Sequence, residues 1–447
     1  MATYKTPAAN VHEELKKKLL VDGFDFVFDP ARSHGSRLVD AATGAEFLDL
    51  FSFFASQPVG FNHPGLADPA FRERLLESAL VKPTNSDVYT QGMADFVSAF
   101  SRTLPKFADG RDAFPHLFFI EGGSLAVENA LKVGFDWKVQ KNMRRGLPES
   151  LGTQVIHFNS AFHGRSGYTL SLTNTFDPRK TKWFPKFDWP RIPTPSLEFP
   201  ITDEVLSNVI KAEARAIEAF KDACRTRRND IACCIIETVQ GEGGDNHFRT
   251  EFMQALRNLC DEEEVFLIFD EVQCGFGLTG KWWAFEHHGV FPDAFSFGKK
   301  AQTCGLAAGP RVDEVDSVFK VASRINSTWG GNLVDMVRCT KFIEIIEQNS
   351  LLENASRVGA HLITGLEGIA SRLPHLVSNV RGRGFMVAFD LATTELRNKL
   401  RDQLYDDGVL ILVCGSRSLR FRPVLDFTRA DVDLAVAKIE ASLKAIA

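Results

Sequence analysis

The sequence predicts an α/β protein, with a large domain built on a mainly parallel central sheet and a smaller α+β domain after it. Three observations lead there. Short apolar runs alternate with longer amphipathic stretches through the middle of the chain, each run is apolar on both faces, and the pattern changes after about residue 333. At 447 residues the chain has room for two or three units of about 150 residues each.

Residues 1–60 are expected to form an N-terminal segment that contributes to the small domain and to the entrance of the site. Residues 61–332 form the large domain and 333–447 the small one. Within the large domain the runs HLFFI (116–120), QVIHF (154–158), ACCII (232–236), VFLIFD (265–270) and AFSFG (294–298) read as strands buried beneath helices. The stretches at 125–142 and 251–264 have helical periodicity, and the proline-rich and aromatic segment 183–200 reads as an irregular loop. After residue 333 a helix through Ile346 leads to VRGRGFMVAFDL (380–391), VLILVCG (409–415) and LRFRPVL (419–425), with helical sequence between and after.

Composition narrows the functional classes. With 44% hydrophobic and 24% charged residues, the mixture is that of a soluble globular protein, and no apolar run approaches the ~18 residues that span a bilayer. The first twenty residues lack the apolar core of a secretory signal, so a cytoplasmic location is expected. The net charge of -5 is spread without blocks, which favours small-molecule substrates over nucleic acid or a membrane surface. The eight cysteines include no CxxC spacing, so reduced, packed thiols are expected rather than disulfides or a metal site.

In open α/β sheets ligands bind beyond the carboxyl ends of the strands, and here those ends carry chemistry. HLFFI runs into EGGSLAVENALK, where Gly122, Gly123 and Ser124 open a helix in the manner of an anion cradle. An ordinary turn with Ser124 as N-cap would look the same. QVIHF is followed by Phe162, His163 and Arg165; an aromatic there can stack on a planar ring, although a lone Phe or His is more often core. VFLIFD ends on Asp270, a carboxylate that needs a positive partner, with Val272 and Gln273 behind it. AFSFG ends on Lys299 and Lys300. Either both snorkel to water, or one is held in a dry site where its amine can attack a carbonyl. An anion cradle, a stacking ring, a carboxylate for a pyridinium and an amine for an aldehyde together meet the needs of pyridoxal phosphate.

At this point the segments GGSLAVENALK, FHGRSG, ETVQGEGG, FDEVQ, FGKK and STWGGN, in this order, resemble the class III pyridoxal-phosphate aminotransferases over most of the chain. That resemblance implies the type I fold of pyridoxal-phosphate enzymes. It also implies a cofactor site of Gly123, Ser124, Phe162, His163, Asp270, Val272, Gln273 and Lys299, the lysine being the one directly after a glycine. Thr328 is implied to reach the phosphate of an adjacent subunit, hence a homodimer with shared sites.

NSDVYT, FPKFDWPRI, FGKKAQTCG and INSTWGGN are similar to members that move the terminal amino group of L-lysine to 2-oxoglutarate in two half-reactions. Ornithine and 4-aminobutyrate aminotransferases share nearly all the named residues. Arg165, Glu242, Asn326 and Arg420 are the implied substrate contacts. Glu242 would cover Arg420 while lysine is bound and swing aside for the carboxylate beside a ketone. Arg422, two residues on, reads as a solvated charge on an alternating strand. Thr238 stands where the family usually has proline.

Overall fold

The computed structural model describes residues 4–446. In chain order the strands are β1 (Arg37–Val39), β2 (Glu46–Asp49), β3 (His116–Ile120), β4 (Gln154–Phe158), β5 (Arg191–Ile192), β6 (Ile231–Glu237) and β7 (Phe266–Asp270). They continue as β8 (Ala294–Phe297), β9 (Cys304–Ala308), β10 (Val377–Arg383), β11 (Met386–Leu391), β12 (Val409–Leu410), β13 (Leu412–Cys414) and β14 (Ser418–Phe421).

Seven strands form the central sheet in the order β3-β9-β8-β7-β6-β4-β5, and only β9 runs against its neighbours. The five apolar runs are all strands of this sheet. Every position of β6, β7 and β8 is buried, as strands covered on both faces must be. β9 was not foreseen, because its sequence CGLAA is a run of small residues. It fits for the same reason: a Cβ at Gly305 would fall 2.2 Å from the carbonyl oxygen of Phe118 on β3.

Helix Gly123–Arg144 covers one face of the sheet. Helix Thr250–Glu262 buries Phe252, Met253, Leu256 and Leu259 at helical spacing. Behind β8 an aromatic cluster packs with ring centroids 4.7 Å apart for Phe100 and Phe297 and 4.6 Å for Trp283 and Phe295. This packing fixes the strand end just ahead of Lys299.

The C-terminal part differs from the sequence reading in detail. VRGRGFMVAFDL is a hairpin, β10 to β11, turned at Gly384. VLILVCG divides between sheets: β12 joins β1 and β2, while β13 joins the antiparallel sheet β10-β11-β14-β13. The segment 183–200 is irregular except for β5, two residues that pair in parallel with β4 at the sheet edge. Among the described residues no helix is long and apolar enough to cross a membrane.

Candidate active site

The carboxyl ends of β3, β4, β6, β7 and β8 lie along one edge of the central sheet, where a cavity of about 540 Å³ opens. Gly123, Ser124, Phe162, His163, Arg165, Asp270, Val272, Gln273 and Lys299, from four separate strand ends, all line it. So do Ser56, Glu237, Gln302 and Cys304, which sequence reasoning missed. Glu237 could have been found, because it ends β6 as Asp270 ends β7.

The glycine turn is built for close approach. Gly122 has φ +102°, a conformation that L side chains rarely adopt, and a Cβ on Gly123 would sit 2.8 Å from Val272 Cγ1. Helix Gly123–Arg144 starts at once, so its first N–H groups face the cavity end with the positive pole of the helix dipole. The N-cap is Gly122, not Ser124. The Ser124 hydroxyl bonds Ser166 and Thr169 Oγ1, the latter at 2.7 Å, and thereby ties the helix to the 162–169 loop.

Asp270 is buried and fully engaged. Oδ2 accepts from His163 Nδ1 at 2.8 Å, and Oδ1 accepts from Val272 N at 3.0 Å and Ser296 Oγ at 3.1 Å. The His163 side chain is completely buried and its Nε2 has no partner. Its contact with Oδ2 braces the carboxylate. Glu237 holds the Phe162 loop in turn, accepting from Phe162 N at 2.8 Å and Gly241 N at 3.0 Å. Burial pushes its carboxyl up to about 7.

The two adjacent lysines part company. Lys299 has φ +50°, a strained conformation for a side-chain-bearing residue, and points into the cavity. Burial lowers its ammonium to about 8 despite the opposing charge of Asp270, with Arg420 and Arg422 adding to the fall. Lys300 turns the other way and is only 2% exposed. Its Nζ donates to Gln57 O at 2.8 Å and Pro423 O at 3.0 Å, joining the N-terminal segment to the C-terminal one.

Around the cavity runs a chain of charges. Gln273 Oε1 accepts from Arg420 Nη1 at 3.1 Å and from Arg422 Nη2 at 3.0 Å. Arg420 Nη2 donates to Glu242 Oε2 at 2.7 Å. Burial alone would raise the Glu242 carboxyl, but Arg420 and Lys180 hold it below its ordinary value. A second cavity, of about 840 Å³, reaches this pair from the side of Phe24, Phe54 and Tyr405.

Arg422 corrects the sequence reading. It is 1% exposed rather than solvated, with Nη1 donating to Asp245 Oδ2 at 2.8 Å and Nη2 to Oδ1. The reason is that β14 lies inside the antiparallel sheet and Arg422 just beyond it turns inward, so alternation along the strand does not lead to water. Thr238, the departure from the usual proline, also has a physical role. Its hydroxyl donates to Glu271 Oε1, a bond proline could not make, and Glu271 further accepts from Ala284 N at 2.7 Å and Phe285 N at 3.1 Å.

Arg165 stands exposed at the cavity rim, without a carboxylate partner among the described residues. Asn326 and Thr328 are not brought to the cavity of their own chain; both lie on an exposed segment. All eight cysteines are unpaired, and no cluster of three or more potential metal ligands occurs among the described residues.

The residues fit pyridoxal phosphate on their own geometry. A side-chain-free turn at a helix start suits a phosphate, the braced carboxylate of Asp270 suits a ring nitrogen, and a half-buried amine of lowered basicity suits an aldehyde. Comparison with known proteins agrees. The chain is 51% identical to the L-lysine-epsilon aminotransferase of Mycobacterium tuberculosis over 448 residues, covering 100% of this chain and 98% of that protein. It is 33% identical to the human mitochondrial 4-aminobutyrate aminotransferase, covering 93% and 85%. The solved structure of the M. tuberculosis lysine aminotransferase in the internal aldimine form superposes with a TM-score of 0.95 at 50% identity, over 99% of this chain and 100% of that one. The family model of the class-III aminotransferases matches residues 22–443, and the chain belongs to that family.

Proposed function

We propose that the protein transfers the terminal amino group of L-lysine to 2-oxoglutarate with pyridoxal phosphate as cofactor. The products are 2-aminoadipate 6-semialdehyde, which cyclises to piperideine-6-carboxylate, and L-glutamate. The observation that carries this reading is the convergence on one cavity of the Lys299 amine, the Asp270 carboxylate and the Gly122–Gly123 turn, with the Arg420–Glu242 pair beside it. The identity of about half the residues with lysine-epsilon aminotransferases along the full chain supports the choice of substrate.

When bound, the cofactor supplies an electrophilic carbon for amine exchange and an electron sink for the substrate carbon that loses its proton. The protein does the rest. Free N–H groups at Gly123 and Ser124 would hold the phosphate, and Phe162 and Val272 would supply the apolar contacts for the ring. Asp270, oriented by His163 and Ser296, would favour the protonated form of the ring nitrogen. Lys299 Nζ would hold the cofactor and, as a free amine, would move the proton at the substrate carbon, a task suited to an amine titrating near 8.

One site must serve two substrates whose carboxylates sit at different distances from the reacting carbon. Arg165 receives the distal carboxylate of either. Arg420 grips the carboxylate next to the ketone of 2-oxoglutarate and is covered by Glu242 when lysine, which has no carboxylate there, is bound.

The same reading carries a homodimer in which Thr328 and Asn326 complete the partner's site. Its support is an exposed apolar surface beside them: Val88 (58%), Tyr89 (78%) and Trp329 (44%), on segments joined by Ser86 Oγ donating to Ser327 O at 2.7 Å. Eight unpaired cysteines accord with a cytoplasmic enzyme of lysine breakdown.

The test is product identity after incubation with lysine and 2-oxoglutarate. A cyclic six-membered imine that retains its carboxylate supports the reading. A 2-keto acid with its distal amine intact, or turnover of ornithine or 4-aminobutyrate in preference to lysine, contradicts it.

A further inference from the structure

Glu242 is held by two cations. Arg420 Nη2 binds Oε2 at 2.7 Å, and Lys180 Nζ binds Oε1. The two holders differ in kind. Arg420 sits on β14 in the interior of an antiparallel sheet, has a side chain 3% exposed and is also tied to Gln273. Lys180 ends a one-turn helix, Pro178–Lys180, in the irregular connection after residue 173, and its side chain keeps 25% exposure. On the same connection Phe176 and Trp183 point outward, at 65% and 78% exposure. The nearby Asp177 does not compete for Lys180, since its carboxylate is taken by Arg179 at 2.8 and 2.9 Å.

We propose that Lys180 is the second station of Glu242, a positioning residue that retains this carboxylate when Arg420 is given over to the carboxylate of an incoming keto acid. The inference rests on the functional reading above and specifies how its two half-reactions are balanced. A carboxylate that left Arg420 with nowhere to go would be a partly buried charge without a partner, which is strongly unfavourable. Because each oxygen of Glu242 already has its own cation, contact with Arg420 can break while the charge stays neutralised. Lys180 Nζ also lies 5.8 Å from the centroid of Phe162, a ring that lines the cofactor cavity. A movement of Glu242 toward it therefore clears Arg420 without taking the carboxylate far from the site.

Removing the Lys180 charge should leave Glu242 committed to Arg420 and penalise dicarboxylate binding selectively. The experiment uses the holoenzyme as wild type, Lys180→Met and Lys180→Arg, with glutarate as an unreactive dicarboxylate in isothermal titration and stopped-flow spectra for each half-reaction. Lys180→Met is expected to weaken glutarate at least about fivefold, at the lower end of measured coupling between sites. It should also slow the 2-oxoglutarate half-reaction more than the lysine half-reaction. Lys180→Arg should restore both. In a Glu242→Ala background the Lys180→Met effect on glutarate should vanish.

An unchanged glutarate affinity, equal losses in both half-reactions, or a full effect that persists without Glu242 would overturn the inference, the last by showing that Lys180 touches the anion directly. If lysine chemistry is intact in the wild type, those results sink this inference alone. A wild type whose spectrum ignores lysine sinks the functional reading and this inference with it.

Discussion

The buried pair of Arg422 and Asp245 allows a prediction with a magnitude. Their side chains are 1% and 0% exposed, the guanidinium donates to both carboxylate oxygens, and it reaches on to Phe421 O at 2.7 Å and Gln273 Oε1 at 3.0 Å. Asp245→Ala leaves a cation with almost no access to water, for which about 3–5 kcal/mol of stability is lost. At about 1 °C per kcal/mol for a cooperative unit the size of this 447-residue chain, the thermal midpoint should drop by about 3–5 °C. Replacing both partners with apolar residues of similar size, Arg422→Met with Asp245→Leu, should recover most of that loss, since burying the pair is itself costly. The double variant still lacks one of the two donors that hold Gln273, so its turnover should stay below wild type while its stability returns. Differential scanning fluorimetry and steady-state kinetics on the three proteins decide the matter. A midpoint shift under about 1 °C for Asp245→Ala, or a double variant less stable than the single one, would refute the reasoning.

Two further outcomes are expected. Glu242→Ala uncovers Arg420, and single-turnover measurements should find the lysine half-reaction reduced at least about tenfold more than the 2-oxoglutarate half, or 1.4 kcal/mol; equal losses would remove the need for a moving carboxylate. Glu271 titrates at about 7 in the fold against an ordinary 4.5, because burial outweighs its hydrogen bonds. The folded state thus holds the extra proton between those values, and the stability this contributes is complete below about 4.5 and lost as pH rises through 7. Relative to Glu271→Gln, the wild type should lose about 3 kcal/mol of stability between pH 4.5 and 7.5 in denaturant titrations, and a pH-independent difference would contradict the shift.

The fold was legible where burial and apolar sequence coincide. HLFFI, QVIHF, ACCII, VFLIFD and AFSFG are uniformly apolar because helices cover both faces of their sheet, so composition alone gives them away. CGLAA escaped because β9 packs through small residues against Phe118, and close backbone approach leaves no hydrophobic signature. The rule that ligands gather at strand ends located Gly123, Phe162, Asp270 and Lys299, since Asp270 ends an apolar run and the others lie one to four residues beyond one.

Charges far apart in sequence were harder to read. Nothing local distinguishes Arg422, buried against Asp245, from a solvated arginine, and nothing around Lys180 announces its pairing with Glu242. The division of labour between Lys299 and Lys300 likewise depends on carbonyls at 57 and 423, which only the folded chain brings together.

The most direct measurement is to reduce the holoenzyme with borohydride, digest it and locate the lysine that carries the cofactor. Lys299 lines the cavity and the Lys300 amine is taken by the carbonyls of Gln57 and Pro423, so the modified peptide should bear its mass on residue 299 alone. A label on residue 300, or no label on either, would contradict the assignment of Lys299 and the chemistry built on it.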